Sequence, residues 1–445
     1  MHFVLIQPRY QWGRHIYLPN GLLSLVARLM AAGHTATIVD ENLDDLDSQR
    51  AVFARADYLG LGVLGPPYLP AALRVATWLR QSGYAQPLIF GGELVNRLTA
   101  AEKQTLFVDR FSNIVTSLPV VLASPESVSM TPALRALPEY MQAAYFSREW
   151  CLYTSQGCAF KCNPCAASKG QVEKFRDLAV LDDETKCLAE LVHRYAGPQP
   201  NYQVYLSSLD ACQTPKKMDP VLALAARNFA AAGVSMEWRC LATAKCTVMA
   251  AQHDQELLQR WRQYGLCCIA IGADGDDAED WSVQNKRHNT TELVNQSLAL
   301  IRAADMLPEA LMVFGFPGSS PKSLVKGFAA CARFSYHGYR ARPYLGKAHL
   351  PGTEYWAQDK AITNQYLANP ETFLEIDFGS LGSSLTHANS RQRYAANVTY
   401  FATVLLLKAF SYHGCPTQPL LPTVTIPRPL RPLARAWNRL LPADK

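Results

Sequence analysis

The sequence has little charge and no long apolar run. Charged residues make up 18% of its 445 residues, and the formal net charge is only +6. A charge of this size indicates an ordinary solvated basic surface, so no nucleic-acid partner is expected. The longest apolar run, 398–407, ends at Lys408 and is too short to cross a bilayer. Because no basic segment followed by an apolar stretch opens the chain, no secretory signal peptide and no transmembrane segment are expected.

What is present indicates a globular protein of two or three domains. Apolar residues make up 49% of the chain, which is typical of folded proteins. Twelve cysteines without a secretory signal favour a reducing compartment, so we expect a cytoplasmic protein. Most of the cysteines, Cys267 and Cys268 among them, are expected to be small buried side chains.

Three cysteines stand close together, Cys158, Cys162 and Cys165, in the spacing C-x3-C-x2-C. Structural zinc takes four protein ligands, and the electron-transfer iron–sulfur proteins supply four thiolates in other spacings. A metal centre held by three thiolates keeps one coordination position open, and an open position allows chemistry. The pattern therefore predicts a reactive metal centre with these three cysteines as ligands.

A zinc site is the alternative for the same segment. Its fourth ligand would come from one of three residues: Cys151, Cys187 or His193. Gly157 and Pro164 predict a loop around the cysteines. Tyr153 and Phe160 add apolar bulk, which would limit solvent access to a metal centre and tune its potential.

The cysteine spacing resembles the hallmark of the radical S-adenosylmethionine (radical SAM) enzymes. In that family the three cysteines bind three irons of a four-iron, four-sulfur cluster, and S-adenosylmethionine chelates the fourth iron. The resemblance implies that Cys158, Cys162 and Cys165 are the metal ligands and that Phe160 lies beside the cofactors. It also implies an external electron donor of the flavodoxin or ferredoxin type.

The first 130 residues alternate between strand patterns and helix patterns. Strands are predicted over 3–6, 35–39, 58–64 and 88–90. Helices are predicted from an N-cap at Asn20 to Gly33 and over 69–81. This alternation predicts a doubly wound, Rossmann-like parallel sheet with ligands at the carboxyl ends of its strands.

Residues 1–130 resemble the cobalamin-binding domain that precedes the catalytic domain in many radical SAM enzymes. The resemblance rests on Pro8 after the first strand, AAGHTATIVD at 31–40, the strand 57–63 and the Gly91-Gly92 turn. It implies cobalamin as a cofactor, approached by the backbone at Gly62, Gly91 and Gly92. The Asp-x-His-x-x-Gly motif of many cobalamin proteins is absent, so no ligand for the lower face of cobalt is named. A flavodoxin-like domain with another ligand, or none, is the alternative.

A proline-rich stretch separates this half from the next. Its prolines, Pro119, Pro125, Pro132 and Pro138, predict irregular backbone, and we place a linker at 131–147. Strands are then predicted over 202–206, 235–241, 267–271 and 311–314, with helices over 219–232 and 291–304 between them. Strand followed by helix, repeated over 148–345, predicts a partial (β/α) barrel like that of the radical SAM domain, with its site at the carboxyl ends of the strands.

Several polar steps in this half resemble radical SAM motifs. The segment Ile-Gly-Ala-Asp-Gly resembles the family's Gly-x-Glu-Ser-Gly, which implies that Asp274 contacts the ribose or amine of S-adenosylmethionine through a side chain one methylene shorter. Asn285 and Lys286 match an Asn-Lys pair that follows in relatives. The Gly-Phe-Pro-Gly turn implies that Gly315 and Pro317 pass near the adenine.

Three further residues are candidates for catalysis or substrate binding. Asp210 ends a strand and would meet the methionine amine or the substrate; a helix cap or loop carboxylate is the alternative. Arg239 would hold a carboxylate bidentately, or form a structural salt bridge. Tyr344 would line the substrate cavity with His349.

Residues 346–445 are predicted to be mainly helical, with a helix at 391–410 packed on the barrel. The arginine-rich tail from Pro427 is predicted to dock on the protein's own surface, with an acidic membrane or a partner as the alternative. No peptide-recognition domain is evident, so a small-molecule substrate is expected. The enzyme is also expected to be a monomer.

Together the resemblances imply methyl transfer from S-adenosylmethionine, by way of methylcobalamin, to a poorly activated carbon of a small molecule, in natural-product biosynthesis. A carbon without a lone pair cannot attack a sulfonium, so a 5′-deoxyadenosyl radical first removes its hydrogen in that scheme. Three alternatives remain: a cyclising, rearranging or oxidative enzyme with the same cofactors, a polar methylation of an aromatic ring, and a non-catalytic metal-binding regulator.

Overall fold

The computed structural model describes residues 1–9, 16–167, 170–276, 278–316, 320–346 and 350–376, with five further residues between 395 and 403. Pro317 and His349 lie outside the described residues, as do most of the predicted helix 391–410 and the arginine-rich tail. The predicted mixed α/β chain with parallel sheets is confirmed. No helix of the described ranges is both long and apolar enough to cross a membrane.

The first sheet has four parallel strands in the order β2-β1-β3-β4. The strands are β1 (His2–Gln7), β2 (Thr35–Asp40), β3 (Tyr58–Gly62) and β4 (Leu88–Gly91). Both faces of this sheet are covered, since Phe3 and Leu5 enter one apolar cluster while Val4 and Ile6 enter another. A strand buried on both faces is continuously apolar, which is why these strands were visible in the sequence.

Helices follow the strands of this first sheet. They are α1 (Asn20–Ala31), α2 (Arg50–Ala54), α3 (Leu69–Gln81), α4 (Glu93–Arg97) and α5 (Ala100–Lys103), with 3₁₀ turns at Asp47–Gln49 and Pro66–Tyr68 and a π turn at Gln104–Val108. The predicted cap at Asn20 is wrong. Asn20 is the first helical residue, and its side-chain amide donates 2.7 Å to the carbonyl oxygen of Cys151, which ties α1 to the second sheet.

The predicted irregular backbone at 131–147 is also wrong. The segment forms α6 (Thr131–Ala136) and α7 (Glu139–Phe146). Pro132 lies in the first turn of α6, and Pro138 directly precedes α7, positions where proline starts a helix. Leu134 and Phe146 are buried in a cluster that also holds side chains of both sheets, so the segment fills the space between them.

The second sheet has six parallel strands in the order β12-β11-β10-β9-β8-β5. They are β5 (Cys151–Tyr153), β8 (Gln203–Ser207), β9 (Glu237–Ala242), β10 (Leu266–Gly272), β11 (Leu307–Phe314) and β12 (Arg340–Leu345); β6 (Ser155–Gln156) and β7 (Lys174–Phe175) form a separate antiparallel pair. The helices between them are α8 (Leu178–Tyr195), α9 (Pro215–Ala231), α10 (Ala244–His253), α11 (Leu257–Gln263), α12 (Ala278–Val283), α13 (Thr291–Ala303) and α14 (Pro321–Tyr336).

The two faces of the six-stranded sheet differ in chemistry. Trp238, Cys240 and Met312 face the helices and are buried among apolar side chains. Because side chains alternate along a strand, Arg239 and Glu309 lie on the opposite face, which we call the inner face. The inner face therefore carries charged side chains, whereas the face covered by helices is apolar.

The chain then returns to the first sheet. It forms α15 (Glu354–Gln358), α16 (Lys360–Ala368) and a 3₁₀ turn at Pro370–Glu375. Trp356, Tyr366 and Phe373 join the second apolar cluster, on the face of the first sheet that holds Val4 and Ile6. The described C-terminal helices therefore pack on the N-terminal sheet, and the packing predicted for the helix 391–410 is not tested by them.

Candidate active site

The cysteine loop lies beyond the carboxyl end of β5 and is closed at its base by β6 and β7. Ser155 pairs with Phe175 in this antiparallel ribbon. Inside the loop, the backbone N–H of Gln171 donates 3.0 Å to the carbonyl oxygen of Cys158. Gly157 has φ of 107°, and a Cβ there would lie 2.8 Å from a backbone oxygen, so the ribbon accepts only glycine at this point.

A second loop, between β10 and α13, packs on the cysteine loop. The backbone N–H of Asn163 donates 2.9 Å to the carbonyl oxygen of Gln284. The side-chain amide of Asn285 donates 2.8 Å to the carbonyl oxygen of Lys161, and Asn285 has φ of 55°. The Asn-Lys pair noted in the sequence thus joins the two loops.

The three cysteines of the loop influence one another electrostatically. Cys162 is buried, while Cys158 and Cys165 are half-buried. Burial raises the pKa of Cys162 to about 11, against the opposing positive charge of Lys286. Burial also raises the pKa of Cys158. Because metal ligands bind as thiolates, a metal ion bound here would displace the protons of these thiols.

The four-ligand zinc site is not formed by the described residues. No group of three or more histidine, cysteine or acidic side chains in the described ranges surrounds a position for a single ion. The Cys151 thiol lies 2.9 Å from the amide nitrogen of Asn20, and Cys187 is buried in the apolar core.

Asp274 lies directly beyond the end of β10, where the sequence placed it. It is 6% exposed, has φ of 48°, and its carboxylate accepts a hydrogen bond from the ammonium group of Lys286. Burial lowers the pKa of Lys286, but the nearby acidic groups of Asp274 and Cys162 raise it by more, so the pKa of that lysine is raised overall. Lys286 therefore links the predicted ligand of S-adenosylmethionine to the cysteines, a partner that the sequence had not indicated.

Phe160 forms one wall of the cysteine loop. Its ring stacks on the imidazole of His288 with centroids 4.0 Å apart and an interplanar angle of 26°. Burial and the charges of Lys286 and Lys245 lower the pKa of His288 to about 4. The stacked pair is consequently neutral at ordinary pH.

A buried carboxylate that the sequence analysis missed lies beside the loop. Glu173 is 5% exposed and accepts hydrogen bonds from Ser155 Oγ at 2.7 Å, Ser208 Oγ at 3.2 Å and Gln213 Nε2 at 3.4 Å. Gln213 in turn accepts from the backbone N–H of Ala159, at 2.8 Å, inside the loop. No sequence pattern marks Glu173, because its partners come from two segments that are distant from each other in the chain.

Asp210 lies beyond the end of β8 and is 1% exposed. Its carboxylate accepts from the backbone N–H groups of Cys212 and Thr243, both at 3.2 Å, and from Thr243 Oγ1 at 2.8 Å. Burial raises the pKa of Asp210 to about 6. These contacts tie the ends of β8 and β9 together, which is the loop-carboxylate role that the sequence left open.

Arg239 and Tyr344 both lie on the inner face, on β9 and β12. Arg239 pairs with the fully buried Glu309, so the salt-bridge alternative is the one the structure shows. Tyr344 is paired in register with Val313. It lies on the same face of β12 as Arg340 and Arg342, because these residues are spaced two apart along the strand. The spacing Arg-x-Arg-x-Tyr in the sequence was the available signal for this polar stripe.

The predicted glycines of the first sheet lie at the carboxyl ends of β3 and β4. A Cβ on Gly92 would meet the carbonyl oxygen of Val63 at 2.5 Å, and φ there is 111°. A Cβ on Gly62 would meet Leu22 at 3.3 Å. A Cβ on Gly91 would meet no atom of the described residues within 4 Å, so these residues leave the backbone there open to approach. In the second sheet, Gly315 follows β11 with φ of 75°.

Comparison with known proteins gives matches in structure. No family model matches the chain, and no curated protein matches it. The radical S-adenosylmethionine methyltransferase TsrM from Kitasatospora setae, with cobalamin and a [4Fe-4S] cluster bound, is 15% identical with a TM-score of 0.59, over 82% of this chain and 78% of that one. This chain has the fold of cobalamin-dependent radical SAM enzymes.

Two further structures support the same fold. TsrM with tryptophan substrate and an analogue of S-adenosylmethionine bound is 15% identical with a TM-score of 0.57, over 78% of this chain and 72% of that one. The radical enzyme OxsB, with aqua-cobalamin and S-adenosylmethionine bound, is 11% identical with a TM-score of 0.56. The match covers 93% of this chain and 62% of OxsB, so it leaves more than a third of OxsB unmatched.

Proposed function

We propose that the chain is a cobalamin-dependent radical SAM methyltransferase that acts on a small molecule. The observation that carries the proposal is the loop of Cys158, Cys162 and Cys165, which is braced by two neighbouring segments beyond the carboxyl end of β5. Three thiols there supply all but one of the ligands that a four-iron cluster needs. When bound, the cluster, S-adenosylmethionine and cobalamin supply radical and methyl-transfer chemistry, with electrons from an external flavodoxin or ferredoxin.

In this proposal the described residues bind and shield the cofactors. Lys286 offsets the negative charge of the thiolates, and the stacked rings of Phe160 and His288 limit water access to the loop. Glu173 is the proposed acceptor for the methionine amine because its hydrogen-bond network reaches the cysteine loop through Gln213 and Ala159, whereas the contacts of Asp210 join the ends of β8 and β9. Asp274 keeps its proposed role at the ribose or amine, with Lys286 positioning it.

The first sheet is the proposed cobalamin site. Its carboxyl edge presents the Gly91 backbone with open space in front of it, while Gly92 shapes the turn that follows. Such an edge is where parallel α/β sheets bind ligands. In this assignment residues 1–130 hold cobalamin, residues 148–345 hold the cluster and S-adenosylmethionine, and Gly315 approaches the adenine.

Anaerobic reconstitution tests the proposal. The wild type is expected to gain four irons per chain and to cleave S-adenosylmethionine under reducing conditions. A variant with Cys158, Cys162 and Cys165 all changed to alanine is expected to do neither. Cys267→Ala is the matched control, since it removes a half-buried thiol on another strand and keeps the loop intact. A wild type that gains zinc, or no iron, would contradict the proposal.

Product counting separates the possible reactions. Radical methylation is expected to form 5′-deoxyadenosine and S-adenosylhomocysteine together with each methylated product. Methylated product with S-adenosylhomocysteine alone indicates the polar route. Deoxyadenosine without methyl transfer indicates cyclisation, rearrangement or oxidation.

A further inference from the structure

The inner face of the six-stranded sheet carries three arginines around one glutamate. Glu309 on β11 is fully buried and pairs with Arg239 on β9, with Arg340 at 3.4 Å and with Arg342 at 3.5 Å, both on β12. β10 lies between β9 and β11, so Arg239 reaches across one strand to make its pair. We call these four residues the arginine cluster.

The arginine cluster has more positive than negative charge. Three guanidinium groups face one carboxylate, which leaves an excess of two positive charges. Alternation along the described strands places one further charged side chain on this face, the exposed Glu237 at the start of β9. Tyr205 and Cys268, neighbours of Arg239 on the same face, carry no charge that would balance the cluster at neutral pH.

The guanidinium groups also have hydrogen-bond donors to spare. Within the described residues, the buried Nε atoms of Arg239, Arg340 and Arg342 make no hydrogen bond, although that of Arg342 lies 3.5 Å from the Glu309 carboxylate. Yet 18%, 21% and 35% of these side chains, respectively, stay accessible, while the Glu309 carboxylate beneath them is fully covered. Buried donors and unbalanced charge are costly unless an anion accepts from them.

The arginine cluster lies below the level of the cysteine loop. Arg239 is three residues before the last residue of β9, which at ~3.3 Å per residue is roughly 10 Å below the strand end. Arg340 and Arg342 also lie in the first half of β12. The cysteine loop lies at the carboxyl ends of the strands, because it follows β5. A molecule with its anionic end among the arginines would therefore extend along the strands toward the cysteines.

We propose that Arg239, Arg340 and Arg342 bind a carboxylate or phosphate group of the substrate on the inner face of the sheet. The planar guanidinium presents paired N–H donors that match either oxyanion. That the occupant is the substrate rests on the proposed function, whereas the anion site itself does not. Glu309 holds the three arginines in place and leaves their outward donors to the ligand.

Thermal unfolding of the full-length protein, without iron, tests the anion site. The probes are inorganic phosphate, benzoate and the neutral benzamide, with ionic strength held constant by sodium chloride. Phosphate or benzoate is expected to raise the Tm of the wild type, and benzamide is not. Arg342→Gln is expected to weaken the apparent affinity for the anion about tenfold or more. The control Arg135→Gln removes an equal charge from an exposed surface pair and is expected to keep the full response.

Each other outcome overturns part of the proposal. A wild type with no response to either anion, or an equal response in Arg342→Gln and Arg135→Gln, rejects the site. If Arg340→Gln and Arg342→Gln lower the ligand-free Tm by many degrees and leave the anion response intact, the arginine cluster is a structural ion network. If Arg342→Gln loses S-adenosylhomocysteine binding as well, the arginines hold the methionine carboxylate and not the substrate. Because these readouts need no cluster, they stand apart from the iron and turnover assays.

Discussion

The ring of Phe160, in the cysteine loop, stacks on the imidazole of His288, in the loop that follows β10. The contact joins the two segments that frame the proposed cluster, and neither residue is near the other in the chain. Because His288 is neutral, the contact is an apolar cover rather than a charge–π pair.

Phe160→Ala is expected to leave the three cysteines able to take up a cluster but to shorten its lifetime in air. The smaller side chain opens the loop to solvent and oxygen, which speeds loss of iron. The measurement is the decay of the iron–sulfur absorbance after exposure to air, with a decay several times faster than that of the wild type expected. His288→Phe keeps a stacked ring and serves as the control. Equal decay rates in all three proteins would argue that the rings do not shield the site.

Gly92→Ala and Gly91→Ala form a matched pair at the edge of the first sheet. Gly92→Ala is expected to lower the free energy of unfolding by about 2–4 kcal/mol, since φ of 111° is strained for alanine and its Cβ would meet the Val63 oxygen at 2.5 Å. Gly91→Ala meets no atom and is expected to leave stability unchanged. Urea denaturation measures both.

Gly91→Ala also tests the proposed cobalamin site. Gly91→Ala is expected to retain less cobalamin during gel filtration than the wild type, because its methyl group enters the space proposed for the ligand. Full retention by a stable Gly91→Ala protein would move cobalamin away from this edge.

The sequence predicted all four strands of the first sheet and the four inner strands of the second, for a physical reason, but it missed the edge strands β5 and β12. Strands buried on both faces are short apolar runs, and the glycines and acidic residues after them mark where each strand ends. Its errors came from residues with two possible roles. Pro132 and Pro138 were taken to break structure, but each stands where proline starts a helix.

The site was harder to predict than the fold. The cysteine loop is local in sequence, so its spacing alone identified it. Glu173 gains its partners from two distant segments, and Glu309 gains its arginines from β9 and β12, so both depend on strand register that no local pattern contains. Lys286 was noted only as part of a motif. Its pairing with Asp274 could not be predicted, because the two residues are brought together only by the folded loop after β10.

Lys286→Met is expected to destabilise the cluster-free protein by about 3–5 kcal/mol, because it leaves the Asp274 carboxylate buried without its partner. The double variant Lys286→Met/Asp274→Asn removes that charge too and is expected to recover much of the loss. Urea denaturation of the wild type, Lys286→Met, Asp274→Asn and the double variant completes the double-mutant cycle. Additive effects in the double variant would show that the two side chains are not coupled.

Asp210→Asn is expected to change how stability depends on pH. The folded-state pKa of about 6 lies above the ordinary value of 3.8, so the folded protein binds more protons than the unfolded chain between these pH values. Wild-type stability relative to Asp210→Asn should therefore be greatest below about pH 4, fall as the pH rises to about 6, and remain lower above it. The difference corresponds to about 3 kcal/mol.

Asparagine is a suitable replacement because its oxygen still accepts from the backbone N–H groups of Cys212 and Thr243. Urea denaturation at several pH values between 4 and 7.5 measures the difference between the two proteins. A constant difference across this range would mean that Asp210 does not titrate there. If the Asp210→Asn protein is fully folded under the assay conditions and still loses most of its activity, Asp210 has a direct catalytic role.

Trp356→Phe tests the packing of the C-terminal helices on the first sheet. The indole N–H of Trp356 donates 2.8 Å to the carboxylate of Glu102, which is 7% exposed, and the ring contacts Tyr366 and Phe373. Phenylalanine keeps an aromatic ring but leaves one carboxylate oxygen without its donor, at a cost of about 1–3 kcal/mol. We expect that loss in urea denaturation, together with faster proteolysis near residue 350. Trp78→Phe is the control, since the described contacts of that indole are with aromatic rings and Arg50. If both variants lose the same stability, the bond to Glu102 contributes little and apolar contact alone holds the helices to the sheet.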